Sequence, residues 1–161
     1  MAWQLAEINV AKGLAPMDDP LLADFVANLD RINALADNHD GFVWRLKGED
    51  NNALALRAFE DPDVIVNMSV WQDMDRLAAY VYRSDHREVM RRRKEWFSHM
   101  EVYMALWWVP AGHEPTPQEG RERLELIARL GPTQMPSPFA SPFPRPMPSA
   151  PTPSLNPVSK P

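Results

Sequence analysis

The chain has 161 residues, no cysteine and a formal net charge of −5. Without cysteine there are no disulfides, no thiolate catalysis and no Cys-ligated metal, which fits a cytoplasmic protein. The acidic balance argues against nucleic acid as a partner, because phosphate binding draws on clustered Lys and Arg.

The first thirteen residues show no basic start followed by an apolar run, so no signal peptide is expected. No stretch approaches eighteen apolar residues, so no membrane span is expected either. Residues 3–11 alternate, with Ala6, Ile8 and Val10 on one side and Leu5, Glu7 and Asn9 on the other, the pattern of a strand. Glu7 and Asn9 would need partners if buried. Asp19-Pro20 opens a helix, with Asp as cap and Pro at the first position. Leu21, Leu22, Phe25, Leu29 and Ile32 carry that helix at helical spacing to about Asp37.

Phe42, Trp44 and Leu46 alternate with Val43, Arg45 and Lys47, predicting a second strand, followed by a polar loop at 48–52. Residues 53–59 suggest a short irregular strand, broken at Asp61-Pro62-Asp63. In the next strand Val64, Val66, Met68 and Val70 form one face. Ile65, Asn67, Ser69 and Trp71 form the other, which is wet or ligand-facing. Asp73 caps a helix built on Met74, Leu77, Ala78 and Val81. Ser84 caps another, whose inward stripe reads His86, Val89 or Met90, Arg93, and Trp96 or Phe97. The basic run 91–94 is flanked by Glu88 and Glu95 and reads as a solvated, salt-bridged face.

Residues 103–109 form the last strand. Thr116-Pro117 then opens a helix through Leu124 and Ile127, closed at Gly131-Pro132. Eleven of the seventeen prolines follow, and Arg145 and Lys160 are the only charges among them. That composition predicts a domain at 1–131 and a disordered Pro-rich tail at 132–161.

Setting the short strand aside, the order is β-α-β-β-α-α-β-α. This is an α+β, ferredoxin-like split βαβ arrangement: an antiparallel sheet with helices on one face. The open face would carry Trp44, Trp71 and Trp107. Soluble monomers rarely expose so large an aromatic patch, which predicts a homodimer closing face to face around a shared cavity.

Residues 25–30 (FVANLD), 41–46 (GFVWRL), 67–71 (NMSVW), 81–86 (VYRSDH), 91–97 (RRRKEWF) and 106–113 (LWWVPAGH) resemble the family known as domain of unknown function 3291. The likeness covers nearly all of residues 3–132. Through it the chain resembles the dimeric α+β barrel superfamily, which includes small antibiotic-biosynthesis monooxygenases and haem-degrading monooxygenases. The resemblance to the haem-degrading branch implies Asn9 as its strand Asn. That branch's Trp falls near Tyr80 or Val81, and its ligand position falls near Arg91 rather than at a His.

The candidate catalytic residues are His86, Asn9, Asn67 and Arg93. At a helix start His86 stays neutral, suited to act as a general base or to fix the turn by bonding a loop carbonyl. Arg93 either holds an anionic substrate oxygen or pairs with Glu7 across the core. Asn9, Asn67 and Ser69 orient a ligand or bond one another. Trp44, Trp71, Trp107 and Tyr82, with Ser69, are the candidate substrate-binding set, since aromatic walls suit a flat apolar ligand. No phosphate loop, nucleophile elbow or metal-spaced cluster is present, and the residues call for no cofactor. The expected function is a cofactor-independent monooxygenase or isomerase acting on an aromatic or polyketide-like molecule. The alternatives are a non-catalytic ligand-binding or structural dimer, and a haem-binding barrel.

Overall fold

The computed structural model describes residues 2–49, 52–54 and 59–130. The elements are β1 (Trp3–Lys12), α1 (Ala23–Asp37), β2 (Phe42–Arg45), β3 (Val64–Trp71), α2 (Met74–Arg83), α3 (His86–Trp96), β4 (Met104–Pro110) and α4 (Pro117–Leu130). A 3-10 turn, Pro20–Leu22, leads into α1, and the Asp19 carboxylate accepts from the Leu21 amide, as the Asp-Pro signature predicts. Residues 53 and 54 are not strand, and residues 55–58 of the short strand expected there lie outside the described residues, as does the Pro-rich tail.

The sheet is antiparallel in the order β2-β3-β1-β4, the ferredoxin-like arrangement. Register along β1 and β3 puts Glu7 opposite Ser69 and Asn9 opposite Asn67. On β4, Leu106 lies opposite Glu7 and Met104 opposite Asn9. Because side chains alternate along each strand, these residues share one face. Helices α1, α2 and α3 cover it. Leu5, Trp71, Leu77, Tyr80 and Leu106 pack at one end, and Leu22, Trp96 and Phe97 at the other. Asp73 caps α2 through the Arg76 amide. Burying one large side chain of this kind contributes about 1.5–3 kcal/mol, so the two clusters anchor the helices firmly.

The second face departs from expectation in two respects. It is not left for a partner copy. Ala6, Ile8, Val10, Met68, Val70 and Trp107 are all buried beneath Leu124 and its neighbours on α4. Gly120 makes this close approach possible, since a Cβ there would sit 2.6 Å from Ile8 Cδ1. The three tryptophans also do not share one face. Trp71 points to the α1–α3 side and Trp107 to the α4 side. Trp44 joins Trp107 because a bulge between Phe42 and Trp44 shifts the register, so that Phe42 stands opposite Trp71 while Trp44 stands opposite Val70. A bulge of one residue reverses the facing of everything beyond it.

Candidate functional site

Between the two aromatic clusters, under α1 and α3, lies a cavity of about 270 Å³ lined by residues of one chain. Its floor is the polar part of the sheet: Glu7, Asn9, Asn67 and Ser69. Tyr80, His86, Val89 and Arg93 come down from the helices, and Tyr82, Met90 and residues 52–54 lie at its margin. Tyr82 and Met90 are both exposed.

Glu7 is 5% exposed, and its carboxyl pKa is raised to about 7. Burial is the cause. Hydrogen bonds from Asn9 and Ser69 oppose it, and no cation among the described residues is paired with it. Asn9 Nδ2 donates to Oε1 at 2.5 Å, and Ser69 Oγ donates to Oε2 at 3.1 Å. Trp71 Nε1 donates to Ser69 Oγ at 2.9 Å, which leaves the serine hydrogen free for Glu7. Each carboxyl oxygen is thus engaged by one protein donor, and a proton on Glu7 has the cavity side left to it. Neutral and ionised forms are close in free energy at neutral pH, the condition for efficient proton transfer.

The aromatic end continues this chain of contacts. Trp71 and Tyr80 stack at 5.1 Å between ring centroids, and Tyr80 lies 4.9 Å from the His86 ring. Tyr80 Oη donates to the Ile32 carbonyl at 3.2 Å, and burial raises its pKa above the usual phenol range. Burial lowers the His86 pKa, so that side chain is neutral. Its Nδ1 is shielded without a partner among the described residues. The backbone amide of His86 is held by Ser84 Oγ at 3.2 Å.

Seven of the residues proposed from sequence line this cavity: Asn9, Asn67, Ser69, Trp71, Tyr82, His86 and Arg93. Trp44 and Trp107 lie on the opposite face, where Trp107 Nε1 donates to Glu119 Oε1 at 2.9 Å. Arg93 does not pair with Glu7. Its guanidinium carbon lies 5.0 Å from the Tyr103 ring centroid. The buried arginine is instead Arg45, bonded through Nε and Nη2 to Asp37 at 2.7 and 3.2 Å. The residue that sequence reasoning passed over is Glu7, noted as needing partners but considered only as an ion-pair mate. The signal lay in two polar alternations, Glu7/Asn9 and Asn67/Ser69, which match when the strands are laid antiparallel.

Haem does not fit this site. The His86 ring is packed against Tyr80 with its Nδ1 shielded, and the residue at the position the resemblance gives the haem ligand is Arg91, which is exposed. Among the described residues no group of three or more His, Asp or Glu is placed to hold a metal ion. No helix among them is long and apolar enough to cross a membrane.

The fold and site define an α+β ferredoxin-like domain with a polar-floored cavity under its helices. The chain belongs to the family described as domain of unknown function (DUF3291), whose family model matches residues 4–152. No curated protein matches it. Among solved structures it is similar to NE2512, a protein of unknown function from Nitrosomonas europaea, at 17% identity and a TM-score of 0.44, covering 71% of this chain and 95% of that one. It is also similar to SnoaB, a cofactor-independent oxygenase from Streptomyces nogalater, at 15% identity and a TM-score of 0.45, covering 70% and 97%. A third is PA3566 from Pseudomonas aeruginosa, at 12% identity and a TM-score of 0.45, covering 68% and 94%. Likenesses of this size transfer no activity.

Proposed function

We propose that this protein is a cofactor-independent enzyme that removes a proton from a small aromatic compound bound in the cavity, with Glu7 as the base. The observation that carries the reading is a carboxyl group buried at the polar floor of an otherwise apolar cavity, bonded to Asn9 and Ser69 with no cationic partner among the described residues; burial raises its pKa to about 7. Ionised Glu7 takes a hydrogen from an acidic carbon or hydroxyl of the substrate and becomes neutral. The electron pair stays on the substrate as an enolate or phenolate. Returning the proton at another carbon completes an isomerisation. In the monooxygenase course the same anion adds O2 at carbon to give a hydroperoxide, which loses water to leave a ketone or quinone; the substrate carbon supplies all four electrons and the second oxygen departs as water. Asn9 and Ser69 orient Glu7, and Trp71 and Tyr80 supply a flat wall. The volume favours one or two rings rather than an extended polyketide.

The test is deuterium incorporation, followed by NMR, into a panel of phenols and enolisable aryl ketones in D2O. Oxygen uptake is recorded in parallel. The expected result is exchange above background with the wild type and a loss of at least about 100-fold in Glu7→Gln. Equal exchange by the two proteins contradicts the assignment of Glu7. Oxygen uptake separates the monooxygenase from the isomerase course.

A further inference from the structure

Of the charged side chains on α3, Arg92 is fully engaged, with Nη2 at 2.9 Å from both Asp24 and Glu95. Arg93, one position on, faces the cavity and has no carboxylate or hydrogen-bond acceptor among the described residues. It is partly buried and sits over Tyr103, beside which Met104 pairs with Asn9 on the floor. Asn67, opposite Asn9 in the register, stands at the exposed mouth of the same end of the cavity, where its amide makes no hydrogen bond to a described residue and is open to an incoming ligand. The solvent-facing end of the cavity therefore presents a half-buried guanidinium with no protein acceptor among the described residues and an exposed amide beside it. The other end is the Trp71–Tyr80 stack, with Glu7 on the floor between.

A half-buried guanidinium facing an apolar cavity is poorly solvated, and a bound anion compensates it with charge-assisted hydrogen bonds. The geometry points to a small aromatic monocarboxylate as the ligand, its carboxylate held by Arg93 and Asn67 and its ring lying toward Trp71 and Tyr80. A single negative charge is what the site takes. Among the described residues Arg45, the other arginine of the lining, is bonded to Asp37, and a second carboxylate at the ring end would fall beside Glu7 and the aromatic pair. This deepens the proposed function by naming its substrate class. It rests on that reading only for the placing of the ring near Glu7.

Binding and turnover are read separately. Benzoate, phenylacetate and cinnamate are titrated into 15N-labelled protein and compared with phenylacetamide, which is neutral and of the same shape. At least one acid should shift the side-chain resonances of Arg93 and Asn67. Phenylacetamide should bind at least about tenfold more weakly than phenylacetate. Arg93→Gln should lose at least about tenfold in affinity for the acid and nothing for the amide, with Arg93→Lys between the two. The unfolding midpoint of each variant checks that the fold is retained. If phenylacetamide binds as well as the acid, if Arg93→Gln binds the acid undiminished, or if none of the three acids shifts Asn67 at 10 mM (roughly the weakest affinity one good ion pair would give), the proposal is wrong. Glu7→Gln is expected to keep acid binding while losing exchange, so failure at Arg93 and failure at Glu7 are distinguishable.

Discussion

Glu7 is held by two neutral donors and, among the described residues, no cation. That fixes the direction in which pH acts on stability. Its pKa in the folded chain is raised from 4.5 to about 7, so the folded state binds the extra proton across that interval. The stabilisation is fully present below pH 4.5 and is lost as pH rises through about 7. A shift of this size corresponds to about 3 kcal/mol of stability lost in the ionised state. Glu7→Gln, which cannot ionise, should abolish that slope. Urea unfolding between pH 4.5 and 8.5 should show wild-type stability falling relative to the variant; parallel curves would contradict the pKa. At this scale the sequence was partly legible. Asn9, Asn67 and Ser69 were recognisable because polar side chains on a half-apolar strand need a reason. Glu7 was harder, because a Glu and an inward Arg suggest an ion pair. Only the structure separates them, placing Arg93 over Tyr103 instead.

Among the elements, the helix boundaries were legible from their chemistry: Asp19-Pro20, Asp73, and Thr116, whose Oγ1 accepts from the Glu119 amide at 3.1 Å. Asp73→Ala should cost about 1 kcal/mol through loss of the α2 cap, somewhat more because Asp73 also bridges Arg76; thermal unfolding measures it. Two features were not legible. A one-residue bulge in β2 leaves no mark on a four-residue alternation, so Phe42 and Trp44 seemed to share a face. The amphipathic spacing of α4 showed that it packs but not on which side of the sheet. Gly120 is the point of closest approach, and Gly120→Val places methyl groups where Ile8 Cδ1 and Met68 already sit. The expected loss is about 2–3 kcal/mol by denaturant titration. An unaffected midpoint would mean that α4 does not lie tightly on this face.

For the whole molecule, the placing of α4 changes the reason to expect a dimer. The sheet order and the split βαβ topology were readable from the order of elements alone. The homodimer was inferred from an aromatic face left bare, yet Trp71 and Trp107 are each 1% exposed in a single chain. Both faces of the sheet have cover without a second copy, so the unfolding midpoint should not move over a 100-fold range of protein concentration (about 0.5 to 50 μM), whereas an obligate dimer's would. A midpoint that rises with concentration would show that pairing contributes to the fold. The described lining of the cavity, Glu7 included, likewise comes from one chain.

The most direct test of a proton-transferring carboxyl group in that cavity is the 13C titration of the Glu7 side-chain carboxyl, assigned by its loss in Glu7→Gln. A midpoint near pH 7 is the expected result. A midpoint near 4.5, that of an ordinary glutamate, would contradict it and remove the base from the proposed reaction.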